Sequence, residues 1–136
     1  MRLEHVLDLD LRYDGEYTVV RPQGDAEGFA YAAGSGRVEG SGLKGEVRFS
    51  NNPRVRGDGR LLPNLAGSIA AEDGARVVFS MRGLGVKRDR EYLALMGAVF
   101  ESDDERYEWL NECFCLAEAT VRGRRVDMRI YRCVVD

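Results

Sequence analysis

The sequence predicts an all-β chain, a sandwich or barrel of many short strands joined by turns, with one short helix, folded as a single domain over residues 1–136. Three observations carry this reading. Turn signals recur along the whole chain, from Asp14-Gly15 through Gly24, Gly34 to Gly36, Gly40 to Gly42, Asn51 to Gly59, Asp73-Gly74 and Gly85 to Asp89 to Arg122-Gly123. Between them, eight or nine segments alternate apolar and polar residues with the period of a half-buried strand. Helical spacing shows in only one place.

The first segment, LEHVLDLDL (3–11), puts Leu3, His5, Leu7, Leu9 and Leu11 on one face. GSGRVEGSG (34–42) has the look of a phosphate loop. However, Glu39 stands where the third glycine would be, and no Gly-Lys-Ser/Thr ending follows, so the expectation is a β-strand bent at its glycines. Arg56-Gly57-Asp58 reads as a turn.

For the next hairpin, a two-residue turn at Asp73-Gly74 pairs Glu72 with Ala75 and sets Asn64 opposite Gly83. One face then carries Ala66, Ser68 and Ala70 against Met81, Phe79 and Val77, with Asn64 at its inward end and Arg82 on the other face. An amide on an apolar face needs partners, which a neighbouring backbone or a ligand can supply. Asn64 is therefore a candidate site residue.

LALMGAVF (93–100) is apolar on both faces, as is much of CFCLA (113–117). Such strands must be covered on both sides. Long helices are not expected, so the cover points to a homo-oligomer, most simply a dimer.

FESDDERYEWLNE (100–112) is the one stretch with helical spacing. Ser102 and Glu105 fit a capping box, the acids gather at the positive end of the helix, and Tyr107 and Leu110 share a face that can close one barrel mouth. For the last hairpin, a two-residue turn at Arg122-Gly123 turns Glu118 outward near Asp127 and Arg129. A three-residue turn turns it inward, and the sequence leaves both open.

Composition is that of an ordinary globule: 44% hydrophobic, 32% charged, net charge −3. Both signs are interspersed and no basic patch stands out, so no nucleic-acid partner is expected. No apolar run is long enough for a membrane helix, and the alternating N-terminus does not read as a signal peptide, so the expected location is cytoplasmic. Cys113, Cys115 and Cys133 are an odd set without framework spacing and are expected as free thiols. His5 is the only histidine, and C-x-C lacks zinc-site spacing, so neither a metal site nor a cofactor is expected. A core or rim position is the expectation for His5.

MRLEHVLDLDL, GRVEGSGLKGEV (36–47), DGRLLPNLAGSIAAEDGARVVFSMRG (58–83), FESDDERYEWLN (100–111) and RVDMRIYRCVV together cover nearly the whole chain. They resemble the bacterial and fungal domain-of-unknown-function family numbered 3237. Glu39-Gly40, Arg82-Gly83 and Arg106-Tyr107-x-Trp109-Leu110-Asn111 are the specific parts. The resemblance implies the barrel rather than the sandwich, an antiparallel β-barrel of about eight strands with one short helix like those of allene oxide cyclase and dirigent proteins, together with homo-oligomerisation and a role near small-molecule metabolism. Many relatives carry Asp and, three positions on, Tyr where this chain has Asn64 and Gly67. Asn cannot serve as a general base, so any chemistry that relies on that Asp is altered or lost here.

The resulting expectation is a lumen that takes a small organic molecule, in its catalytic version as an isomerase, cyclase or lyase needing no cofactor. Glu39 is assigned as proton shuttle and Asn64 as the group orienting a carbonyl or hydroxyl. Arg82 and Glu118 are candidate ligand contacts if the register turns them to the lumen, and Tyr107 and Trp109 are an aromatic lid. The alternatives are a non-catalytic binding module and an oligomeric structural or partner-binding barrel.

Overall fold

The computed structural model describes residues 1–24 and 27–136. Eight long strands form a ring: β1 (Arg2–Tyr13), β3 (Gly28–Gly40), β4 (Leu43–Asn51), β7 (Asn64–Ala71), β8 (Arg76–Arg88), β9 (Glu91–Ser102), β10 (Phe114–Arg122) and β11 (Arg125–Val134). Each pairs antiparallel with its neighbours, and β1 closes the ring by pairing with both β11 and β3. Three short strands, β2 (Thr18–Val20), β5 (Arg54–Val55) and β6 (Leu61–Leu62), extend one rim, with β5 and β6 bridging β3 to β8 beyond the ends of β4 and β7. Closure removes the unpaired edges that an open sheet would expose. Among the described residues no helix is long and apolar enough to cross a membrane.

Alternation fills the interior. Leu7, Leu9, Leu11 and Tyr13 of β1 meet Val47 and Phe49 of β4, Val77, Phe79 and Met81 of β8, and Met96 and Phe100 of β9 in one cluster. Bulk is offset by small residues: Ala117 lies between Met96 and Ile130 in the ladder. Gly67 leaves room for Phe79, whose ring carbon would stand 2.4 Å from any Cβ at that position.

The β7–β8 register differs from the sequence expectation by one residue. Asn64 pairs with Arg82, and Ala71 with Ala75, because the turn holds three residues, Glu72, Asp73 and Gly74. The Gly74 amide donates to Ala71, Asp73 Oδ1 accepts from the Ala75 amide, and Gly74 takes φ +92°, which only glycine adopts cheaply. A one-residue slip exchanges the faces of a strand. Leu65 and Ile69 are thereby buried, Ala66, Ser68 and Ala70 face out, and Asn64 joins Arg82 on the outer wall.

The β10–β11 turn is a two-residue one centred on Gly123-Arg124. It pairs Arg122 with Arg125 and turns Glu118 outward beside Arg129. The inward set (Cys115, Ala117, Ala119, Val126, Met128, Ile130) is the expected one. In β1 a bulge between His5 and Leu7 breaks the alternation, so Leu3 and His5 face out, and His5 Nε2 meets Asp8 at 2.7 Å.

The helix is a 3₁₀ helix over Glu105–Glu112, capped by Asp104 and not by Ser102. Ser102 remains in β9, where its hydroxyl donates to the Arg76 carbonyl and its amide donates to Asn111 Oδ1. Tyr107 and Leu110 are buried against the core and close that end of the barrel. Arg56-Gly57-Asp58 is a turn in which Arg56 holds Asp58 through two nitrogens. The three cysteines are free thiols, and burial pushes that of Cys115 up to about 11.

Candidate functional site: the open end of the barrel

β9 runs from Glu91 at one rim to Ser102 beside the 3₁₀ helix. At the Glu91 end none of the described residues plugs the ring, and a cavity of about 430 Å³ opens there. That volume lies within the range of small-molecule sites, roughly 300–1,000 Å³. Leu65, Ala94, Met96, Ala119, Val126 and Met128 give it an apolar wall. Ala94 and Ala119 are a cross-strand pair, so two small residues sit side by side where larger ones would fill the space. Lys87, Asp89 and Arg90, at the β8–β9 turn, form a charged part of the rim.

One polar cluster stands in this wall. Asn51 is the buried polar side chain of the described core. Its Nδ2 lies 3.2 Å from the hydroxyls of both Tyr13 and Tyr17, and its Oδ1 accepts from the Asn64 backbone amide at 3.0 Å. That last bond fixes which way the amide faces, because only the nitrogen can then meet the phenols. The Tyr17 hydroxyl donates to that of Tyr13 at 2.8 Å. Burial, reinforced by the Tyr13 hydroxyl beside it, pushes the Tyr17 phenol far above its ordinary range, so that phenol stays protonated at neutral pH.

Counting hydrogens in the cluster gives its chemistry. Asn51 spends one amide hydrogen on each phenol oxygen. The two phenols contribute two hydrogens, of which only one lies between them. Whichever tyrosine donates, one phenolic hydrogen is left without an acceptor among the described residues, beside an apolar cavity. Such a group donates to a ligand oxygen, and in a poorly solvated place it does so strongly.

None of the six residues singled out from sequence lines this cavity. Glu39 and Glu118 do come together, but on the outer wall. They line an open groove of about 990 Å³ with Asp8, Asp10, Arg37 and Arg129. Many of its charges have partners: Glu39 has Lys44 at 3.7 Å, Asp8 has His5, and Arg37 has Glu72 at 3.0 Å. Asn64 and Arg82 also face out, where Arg82 Nε donates to Asn64 Oδ1 at 3.1 Å. Tyr107 belongs to the closed end. Its hydroxyl donates to the Asp73 carboxylate, a bond that holds the carboxyl below its usual range and the phenol above its own. Trp109 packs half-buried against the same end.

Two residues of the site were within reach of the alternation. Extending Leu7-Leu9-Leu11 by two gives Tyr13, and extending Leu43-Gly45-Val47-Phe49 gives Asn51. Tyr17 lies in the loop between β1 and β2, where no periodicity points to it.

The family described as "Protein of unknown function (DUF3237)" matches residues 1–133. No curated protein matches the chain. Solved structures share the fold. A protein of unknown function from Clostridium acetobutylicum is 19% identical with a TM-score of 0.88, covering 98% of this chain and 100% of that one. A beta-barrel like protein from Acinetobacter baumannii is 18% identical with a TM-score of 0.85, covering 96% and 94%. A protein described as an enzyme, from Penicillium herquei, is 19% identical with a TM-score of 0.71, covering 96% and 93%.

Proposed function

The chain belongs to the DUF3237 family, and from that premise and the form of its barrel we propose that it takes up a small organic molecule in the lumen at the open end. The observation that carries the reading is an apolar cavity of about 430 Å³ with a hydrogen-bonded Tyr13–Tyr17–Asn51 cluster in its wall. A packed barrel core has no use for such a space, since empty volume of this size costs stability unless something fills it. The roles first given to Asn64 and Glu39 pass to this cluster.

Uptake of the ketone dye Prodan, which brightens on leaving water, tests the proposal. Ala94 and Leu95 are neighbours on β9 that face opposite ways, Ala94 into the cavity and Leu95 outward. Ala94→Phe should block uptake, and Leu95→Glu should leave it intact. The reverse pattern places the dye on the outer wall and overturns the lumen reading.

A second reading, catalysis without a cofactor by an isomerase, cyclase or lyase, is favoured by the unassigned phenolic hydrogen. A phenol in a water-poor site can stabilise charge developing on a substrate oxygen. Asp89, the one carboxylate lining the cavity among the described residues, is the candidate base at its mouth. A neighbour of the same fold is described as an enzyme.

The reading includes self-association. On the outside of β8, β9 and β10, Leu84 pairs with Leu95 and Val99 with Phe114, and all four are exposed. A second copy covering this patch would make a dimer. Light scattering should give twice 15.2 kDa, and Leu95→Glu should return the monomer mass. A wild-type monomer at micromolar concentration removes the argument.

A further inference from the structure

We infer that the lumen selects a neutral, largely apolar molecule carrying one acceptor oxygen, a ketone, aldehyde or ester, bound with that oxygen against the hydroxyls of Tyr13 and Tyr17. This deepens the lumen reading and rests on it. The argument is one of matching. The wall cluster offers one unassigned hydrogen and no charge. A carboxylate or phosphate brought against it would lose its hydration for a single hydrogen bond, which is unfavourable without a buried cation. Among the described residues the only cations lining the cavity are Lys87, near the end of β8, and Arg90, in the β8–β9 turn, and both are exposed. An ammonium group would need a buried carboxylate, and among the described residues the only carboxylate lining the cavity, Asp89, belongs to the exposed β8–β9 turn. A pure hydrocarbon would leave the phenolic hydrogen unpaired. A carbonyl meets it one for one, and Met96, Ala119 and Met128 receive the apolar body.

The count of hydrogens makes a sharper statement about which substitutions matter. In the wild type one of two phenolic hydrogens lies between the tyrosines. Tyr17→Phe removes one hydrogen and also the oxygen with which Tyr13 shared, so Tyr13 keeps a hydrogen for the ligand. Tyr13→Phe frees the hydrogen of Tyr17 in the same way. Only the double variant leaves the ligand oxygen without a phenolic donor from the wall cluster. The two positions are therefore interchangeable singly and indispensable together, a pattern that independent packing contacts do not give.

Prodan also reports this, because its emission moves to longer wavelength when its ketone accepts a hydrogen bond. Wild type, Tyr13→Phe and Tyr17→Phe should all show bound dye with hydrogen-bonded emission. Tyr13→Phe/Tyr17→Phe should still bind it, with emission moved to the blue and affinity lowered roughly three- to tenfold, the worth of one net hydrogen bond. Tyr92 lines the same cavity half-exposed, one residue from the β9 start, and among the described residues no hydrogen bond joins it to the cluster. Tyr92→Phe should leave the emission unchanged. If the double variant keeps the wild-type emission, or if Tyr92→Phe alone gives the blue shift, the inference fails while the lumen reading stands. If wild type takes up no dye in the lumen, both fail.

Should the double variant not fold, competition on the wild type decides. The hydrocarbon analogue with an alkyl chain in place of the propionyl group should displace Prodan more weakly than unlabelled propionylnaphthalene does. Equal or stronger displacement by the hydrocarbon overturns the inference.

Discussion

At the helix end of the barrel the Tyr107 hydroxyl donates to the Asp73 carboxylate, and Leu110 and Phe100 fill the space behind it. At the other end Tyr13 and Tyr17 share one hydrogen bond under Asn51, and the space beside them is open. Both ends use tyrosine, an apolar body with a polar tip. The difference lies in the acceptor. A carboxylate takes the proton of Tyr107 and leaves nothing to offer, whereas an amide nitrogen and a second phenol can only donate toward Tyr13 or share with it. One end is complete and serves as a plug. The other is incomplete by one acceptor, which is what the proposed uptake of a ligand oxygen requires.

The largest expected effect breaks the complete end. Leu110 is 1% exposed inside the plug. Leu110→Ala should cost about 2–5 kcal/mol in urea denaturation, because the closely packed end relaxes only in part around the lost methyl groups. Removing polar groups at the open end should cost less. Tyr13→Phe/Tyr17→Phe leaves both Asn51 hydrogens buried without acceptors, worth about 1–3 kcal/mol. If the double variant proves the more damaging of the two, the open end is structural and the contrast between the ends is wrong.

The two ends should also answer differently to pH. Hydrogen bonding from Arg106 lowers the Asp104 carboxyl to about 2, and that from Tyr107 lowers Asp73. A depressed carboxyl contributes stability above its unfolded value of 3.8 and loses it as pH falls through the folded one. The plug should therefore weaken between about pH 4 and 2, and Asp104→Asn should flatten that limb. Tyr17 is raised by burial from 10.0. Its contribution is whole below pH 10 and declines above it, because the unfolded chain sheds the proton first. Tyr17→Phe should flatten part of the alkaline limb, with Tyr107, also raised, carrying another part. Melting temperatures from pH 2 to 11 for wild type and both variants check the signs. An acid limb unchanged in Asp104→Asn removes the assignment.

The barrel was legible because period-two alternation and turn chemistry act locally and repeat. Closure by eight strands was implied by the family resemblance, because alternation alone suits a sandwich as well as a barrel. The plug was legible for a similar reason, since Tyr107 and Leu110 share a face whether the helix is α or 3₁₀. The site was not, and two one-residue effects explain most of the loss. The third residue in the Glu72–Gly74 turn exchanged the faces of β7 and carried Asn64 outside. The bulge after His5 put His5 outside but restored Leu7 through Tyr13 to the inside. Neither leaves a trace in hydrophobic periodicity alone. Tyr17 reaches the cluster from a loop, by a contact that only the closed barrel creates.

The smallest expected effect concerns the residues that sequence reasoning favoured, and it tests the comparison by its absence. Glu39 and Glu118 lie on the outer wall in a groove of charges, and Arg82 lies on the outer wall against Asn64. Exposed substitutions away from caps and cores usually change stability by no more than about 0.5 kcal/mol. Glu39→Gln, Glu118→Gln and Arg82→Ala should each melt within that margin, and each should bind Prodan as the wild type does. The argument for silence is geometric. Each side chain is separated from the lumen by the thickness of the sheet, and solvent screens the charge it would project through it. If Glu39→Gln abolished dye uptake without loss of stability, the outer groove would be the site. The phenol pair would then be an interior hydrogen bond like the one between Tyr107 and Asp73, and the two ends of the barrel would differ only in how tightly they are filled.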